Sequence, residues 1–155
     1  MVVGIPKEIK VHEYRVGAKP NDVAAYVRAG HQVLVQAGAG DGAGFSDAEY
    51  RAAGAQIAAS AAEVWKQSGM IVKVKEPQED EFPYFREGLV VYAYLHLASG
   101  PELTDALLQN KVTGVAYETI TDSYGELPCQ RPMSAIAGRL ALIEGSSYLL
   151  RHRGG

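Results

Sequence analysis

Three side chains in this sequence combine into one piece of chemistry. Arg15 lies in IPKEIKVHEYRV, Lys75 in VKVKEP and His96 in YAYLHLA, each at or just past the end of an apolar run. A guanidinium is a planar fork that grips a carboxylate through two parallel hydrogen bonds. An ammonium adds a second fixed positive charge. An imidazole titrates near neutrality and can take and return a proton. Together they suit a small α-keto or α-amino carboxylate. Each also has a plainer reading: Arg15 as part of a solvated charged stretch, Lys75 as a strand-end lysine in water, His96 as a satisfied surface or core histidine.

Other candidates are weaker. Gln36–Gly44 is glycine-rich, follows an apolar run, and contains Gly38-x-Gly40-x-x-Ala43, the form of a dinucleotide fingerprint. In a phosphate-binding turn, however, the helix begins among the glycines, so that its free N–H groups face the pyrophosphate. Here the helix start falls later, at Ser46, and the ribose-binding acid due about 20 residues on is replaced by Gly54–Ser60. The string is expected to be a flexible loop. His12, His31, His96, His152 and Cys129 show no metal-ligand spacing. No Ser or Cys stands in a nucleophile motif.

The elements that must position these groups are legible as apolar runs at Val2–Ile5, Val33–Val35, Met70–Val74, Leu89–Leu95 and Val112–Tyr117. Helical segments separate them. Pro20 suits a first helical turn, and Gly30 suits a stop. Ser46 with Glu49, and Ser60 with Glu63, have capping-box spacing. Pro101-Glu102 opens another helix. Strands apolar on both faces, alternating with helices, predict an α/β domain: a mostly parallel sheet flanked by helices, Rossmann-like or flavodoxin-like. In such sheets ligands sit beyond the carboxyl ends of the strands, where Lys75 and His96 fall. Alternation in an extended chain would put Lys73 beside Lys75, and Tyr94 beside His96. Met133–Leu150 predicts a helix of about 27 Å, with Arg151, His152 and Arg153 at its negative end and Gly154-Gly155 as its stop. The expected division is a substrate-binding domain over 1–130 and a long connecting helix over 131–155. A helix of that length is expected to pack on another domain or subunit, which makes a homo-oligomer.

Composition excludes several classes. A net charge of −3 offers no general attraction to nucleic acid or anionic membrane. No run approaches the roughly 20 apolar residues of a membrane span. The single cysteine, Cys129, cannot form an internal disulfide, which favours a cytoplasmic setting. At 155 residues the chain can bury roughly 70% of its unfolded surface as one domain.

Six strings, in order, resemble segments of the alanine dehydrogenase / pyridine nucleotide transhydrogenase family: IPKEIKVHEYRV, GFSDAEYRAAGA, VKVKEP, YLHLA, AYETI and RPMSAIAGR. The resemblance runs the length of the chain and is closer to alanine dehydrogenase, on the version of RPMSAIAGR. It implies that Arg15 and Lys75 hold alanine or pyruvate and that His96 is the acid/base, with Lys75 also catalytic. It further implies that Tyr94 and Met133 line the same cleft and that Ser134 touches the nicotinamide of NAD. Ala135 and Lys19 depart from the family's usual acidic residue and threonine. The implied activity is NAD-dependent, reversible oxidative deamination of L-alanine to pyruvate and ammonium. The family continues past the double glycine into a nucleotide-binding domain, so the chain is expected to be a truncated, substrate-binding part that is nearly inactive alone. The alternative is a non-catalytic keto-acid-binding or self-assembling domain of the same family.

Overall fold

The computed structural model describes residues 1–155. Its sheet has six strands, all parallel: β1 (Val2–Ile5), β2 (Gln32–Gln36), β3 (Gln56–Ala58), β4 (Met70–Val72), β5 (Val90–Ala93) and β6 (Thr113–Ala116). Parallel strands need crossovers; a 3-10 segment, Glu79–Tyr84, carries the one from β4 to β5, and the other four are supplied by four α-helices. These are α1 (Pro20–Arg28), α2 (Asp47–Ala52), α3 (Ala61–Gln67) and α4 (Pro101–Gln109). Pro20 stands at the start of α1 as expected. Ser46 and Glu49 complete a reciprocal cap on α2. On α3, Ser60 accepts from the Glu63 N–H, but Glu63 reaches back one residue further, to the Ala59 N–H.

The core explains why the strands carry apolar residues without a polar face. Val3, Ile5, Val33, Val35 and Val72 bury against one helical layer with Val23 and Tyr50. Leu34, Ile71, Val91 and Ala93 bury on the opposite side with Trp65, Leu89, Leu103 and Leu107. Adjacent residues of one strand therefore feed different cores, which is what a sheet covered on both faces requires. β3 lies outside the five apolar runs that the sequence displays. It is a three-residue edge strand, Gln-Ile-Ala, too short to show alternation.

The strand order is β3-β2-β1-β4-β5-β6. The chain winds outward from β1 to β3, crosses back, and winds outward again from β4. That reversal puts a topological switch point between β1 and β4, and open α/β sheets bind ligands in the crevice beyond the carboxyl ends at such a point.

The chain divides into two compact units, Met1–Ala116 and Tyr117–Gly155, at the end of β6. In the second unit, Asp122 Oδ1 accepts from the N–H groups of Tyr124 and Glu126, fixing a turn ahead of α5 (Arg131–Tyr148). No residue of α5 is buried. Arg151–Arg153 form a separate 3-10 turn past the helix, and it is this turn, not the helix, that Gly154 closes at φ 96°. No helix is long and apolar enough to cross a membrane.

Candidate active site

The loop leaving β1, residues 6–19, crosses the switch point. Gly17 lets it do so: a Cβ there would lie 2.3 Å from the Val72 carbonyl oxygen at the end of β4. The glycine-rich loop after β2 closes on the same segment, since a Cβ on Gly42 would lie 2.7 Å from the Tyr14 carbonyl oxygen. Between them is a cleft of about 310 Å³ lined by Lys7, Lys10, His12, Arg15, Ala39 and Gly42, among others. This cleft does not take in Lys75 or His96.

Arg15 is exposed but held. Its backbone N–H donates to Glu13 Oε1 at 2.9 Å, its Nε to the same oxygen at 2.8 Å, and its Nη2 to Oε2. The Glu13 hydrogen bonds hold Arg15 above its usual pKa range, with Tyr94 and Glu8 also acting on it. Glu13 is pushed below the usual carboxylate range by Arg15, and Lys75 adds to the effect. Arg15 is therefore within electrostatic reach of Tyr94, and Glu13 of Lys75, although these residues come from three different loops.

Lys75 follows β4 and is half-buried. Its neighbour Lys73 does not lie beside it. The backbone leaves regular strand geometry after Val72, and the Lys73 side chain is fully buried, at 0% exposure. Two carboxylates flank it: Glu81 Oε1 at 2.8 Å and Glu8 Oε2 at 3.3 Å. Burial pushes the Glu8 carboxyl up, against the pull of Lys73 and of the Val74 N–H that it accepts at 2.7 Å. Glu76 pairs with Lys10 of the β1 loop. Burial resists ionisation of Glu76, but Lys10 and Lys75 together hold it below the usual carboxylate range. Sequence reasoning missed Glu8, Glu13 and Glu81. A lysine inside a run destined for burial was the available signal, because such a charge demands a buried partner.

β5 extends the ladder beyond its end, with the Tyr94 N–H donating to the Val74 carbonyl at 3.0 Å. The chain then turns sharply. His96 is not extended beside Tyr94 but adopts the left-handed conformation, φ 49° and ψ 42°, and is exposed. A non-glycine residue there stores roughly 1–3 kcal/mol of strain, a feature concentrated at functional sites. β5 is the direct neighbour of β4, so His96 and Lys75 leave the same edge of the sheet.

A family model described as the alanine dehydrogenase/PNT N-terminal domain matches residues 4–137. The chain belongs to this family. It is 50% identical over 155 residues to an alanine dehydrogenase of Methanococcus maripaludis, covering 100% of this chain and 42% of that protein. An alanine dehydrogenase of Bilophila wadsworthia is 54% identical over 155 residues, with 41% of its length covered. A solved L-alanine dehydrogenase superposes with a TM-score of 0.91 at 45% identity, over 100% of this chain and 43% of that one. A transhydrogenase from Sinorhizobium meliloti gives 0.73 at 33% identity, over 77% of this chain and 36% of its own. The chain thus spans about two-fifths of the length of the curated relatives it matches.

The family resemblance also marked Met133 and Ser134, which lie in the second unit on the first turn of α5. Ser134 borders an open hollow with Gln130, Arg131, Glu126 and Leu127. The glycine-rich loop does not fit a dinucleotide phosphate. Its Gly38 N–H donates to Asp47 Oδ1 at 2.9 Å, and the start of α2 is already capped by Ser46 and Glu49. Asp41, Asp47 and Glu49 would repel an anion there. The loop is also tied internally, with Ala43 and Phe45 both donating to the Gly40 carbonyl. No group of three or more His, Cys, Asp or Glu is arranged to hold a metal ion.

Proposed function

We propose that this chain is the substrate-binding part of an NAD-dependent L-alanine dehydrogenase, catalysing reversible oxidative deamination of L-alanine to pyruvate and ammonium. One observation carries the reading. The loops after β1 and β4 carry Arg15 and Lys75 from the carboxyl edge of the sheet at its switch point, and the loop after β5, one strand away, carries His96 from the same edge. The names of the relatives support it.

In this proposal Arg15 binds the substrate carboxylate through its guanidinium fork. Lys75 lies against the oxygen or nitrogen on the reacting carbon and stabilises charge that develops there. His96 takes a proton from the water that adds to the protonated imine, giving a carbinolamine. It returns that proton to the nitrogen, then accepts the carbinolamine hydroxyl proton as the C=O forms, the C–N bond breaks and ammonia leaves. Tyr94 lines the cleft. NAD, when bound, supplies the hydride acceptor; Ser134 is the contact proposed for it here. The glycine-rich loop does not hold its phosphates, so we assign those to the part of such proteins that this chain does not span.

On α5, Ile136, Leu140 and Ile143 are exposed at spacings of four and three, one stripe of a helix. We propose that a second copy covers this stripe and that the protein is cytoplasmic. The test of the substrate reading is calorimetric titration of pyruvate into the chain. Saturable binding in the wild type, weakened at least about tenfold in Lys75→Ala, is expected. Equal binding in both would remove Lys75 from the site. NADH oxidation with pyruvate and ammonium is expected to stay near background for the chain alone.

A further inference from the structure

Glu8, Lys73 and Glu81 form a buried triad with side-chain exposures of 2%, 0% and 4%, and nothing in the proposed chemistry uses it. Burying three charges is a poor route to stability, because apolar side chains of similar volume do as well or better. Their connections indicate what the triad achieves instead.

Glu8 Oε1 accepts the Val74 N–H at 2.7 Å, and Glu81 Oε2 accepts the Gln78 N–H at 2.9 Å. Val74 and Gln78 bracket the strap Lys75-Glu76-Pro77. Lys73 binds both carboxylates at once, so the two ends of the strap are fastened to one buried cation. Glu8 also belongs to the β1 loop, seven residues before Arg15, and its charge acts on Arg15. A second tie, Lys10 with Glu76, joins the same loop to the middle of the strap.

We propose that the Glu8–Lys73–Glu81 triad is the positioning device of this site, fixing the strap that carries Lys75 against the loop that carries Arg15. The proposal rests on the substrate reading above and adds the residues that set the distance between its two cations. None of the three touches substrate; they are positioning residues.

The experiment compares wild type with Glu8→Leu and Glu8→Gln in the full 155-residue chain, at a temperature where each is fully folded. Glu8→Leu removes both the acceptor for Val74 and the charge facing Lys73; Glu8→Gln keeps an acceptor. The expected result is pyruvate binding weakened about tenfold or more in Glu8→Leu, with Glu8→Gln between it and wild type. A purely structural triad would lower the melting temperature and leave the affinity of folded protein unchanged, and that result overturns the proposal. Should Glu8→Leu fail to fold, Glu8→Gln decides alone: weakened affinity supports positioning and wild-type affinity overturns it. A wild type that binds no pyruvate defeats the substrate reading. Backbone ¹⁵N relaxation at Lys75 and Glu76 then tests the triad separately: loosening in the variants supports it, and unchanged order overturns it.

Discussion

Gly17→Ala tests whether the β1 loop is seated on β4 as described. The new Cβ would lie 2.3 Å from the Val72 carbonyl oxygen, 2.7 Å from its carbon and 3.1 Å from Lys73 Cα. All three are backbone atoms, so no rotamer change relieves the clash. An ordinary carbon–oxygen contact is about 3.3 Å, so something must move by about 1 Å. β4 is hydrogen-bonded on both sides, to β1 and to β5, and the loop is the part able to yield. Overpacking of this kind costs about 1–3 kcal/mol. At about 2–4 °C per kcal/mol for a chain of this size, the melting temperature falls by about 2–12 °C. Arg15 is two residues away and moves with the loop relative to Lys75. Losing one hydrogen bond between charged groups costs about 1.5–3 kcal/mol, so pyruvate affinity falls about tenfold or more. Thermal denaturation by circular dichroism and pyruvate calorimetry measure the two effects. A variant melting within about 1 °C of wild type with unchanged affinity would show that the loop does not lie on the Val72 carbonyl.

Other outcomes follow from the same geometry. His96 is left-handed at φ 49°, where a β-branched side chain is strained and glycine is not. His96→Val is expected to be less stable than His96→Gly by about 1–2 kcal/mol in urea denaturation; the reverse order would contradict the assigned backbone. The Glu8 carboxyl is raised by burial, with Lys73 opposing and Glu81 reinforcing. A raised folded pKa favours the native state fully below the ordinary value of 4.5 and loses that contribution as pH climbs through the folded value. The melting-temperature difference between wild type and Glu8→Gln should therefore shift against wild type as pH rises from 4.5. A shift the other way would mean that Lys73 outweighs burial.

Much of the fold was legible because β1, β2, β4 and β5 are largely buried and so read as apolar runs, and β6, though exposed, lies in a similar run. Their ends were less so. The run through Val74 overshoots β4, which stops at Val72, because the chain bends there to bury Lys73 between Glu81, eight residues on, and Glu8, far back in the sequence. No local pattern announces that pairing: Glu8 lies 65 residues before Lys73 and looks like one charge among several in IPKEIKVHEYRV. β3 was hidden by brevity, and His96 by the assumption that a strand continues straight past its hydrogen-bonded end. The glycine-rich loop was placed correctly relative to α2 because capping at Ser46 is a local signal. Its packing role, with Gly42 against Tyr14, depends on a contact across 28 residues that no spacing rule reveals.

The most direct measurement is a pyruvate titration of the ¹⁵N-labelled chain followed residue by residue. Amide signals of Arg15, Lys75, Tyr94 and His96 should shift together along one saturation curve, and Lys75→Met should flatten all four. Shifts confined to other loops, or separate curves for Arg15 and Lys75, would contradict a single three-carbon acid held between them.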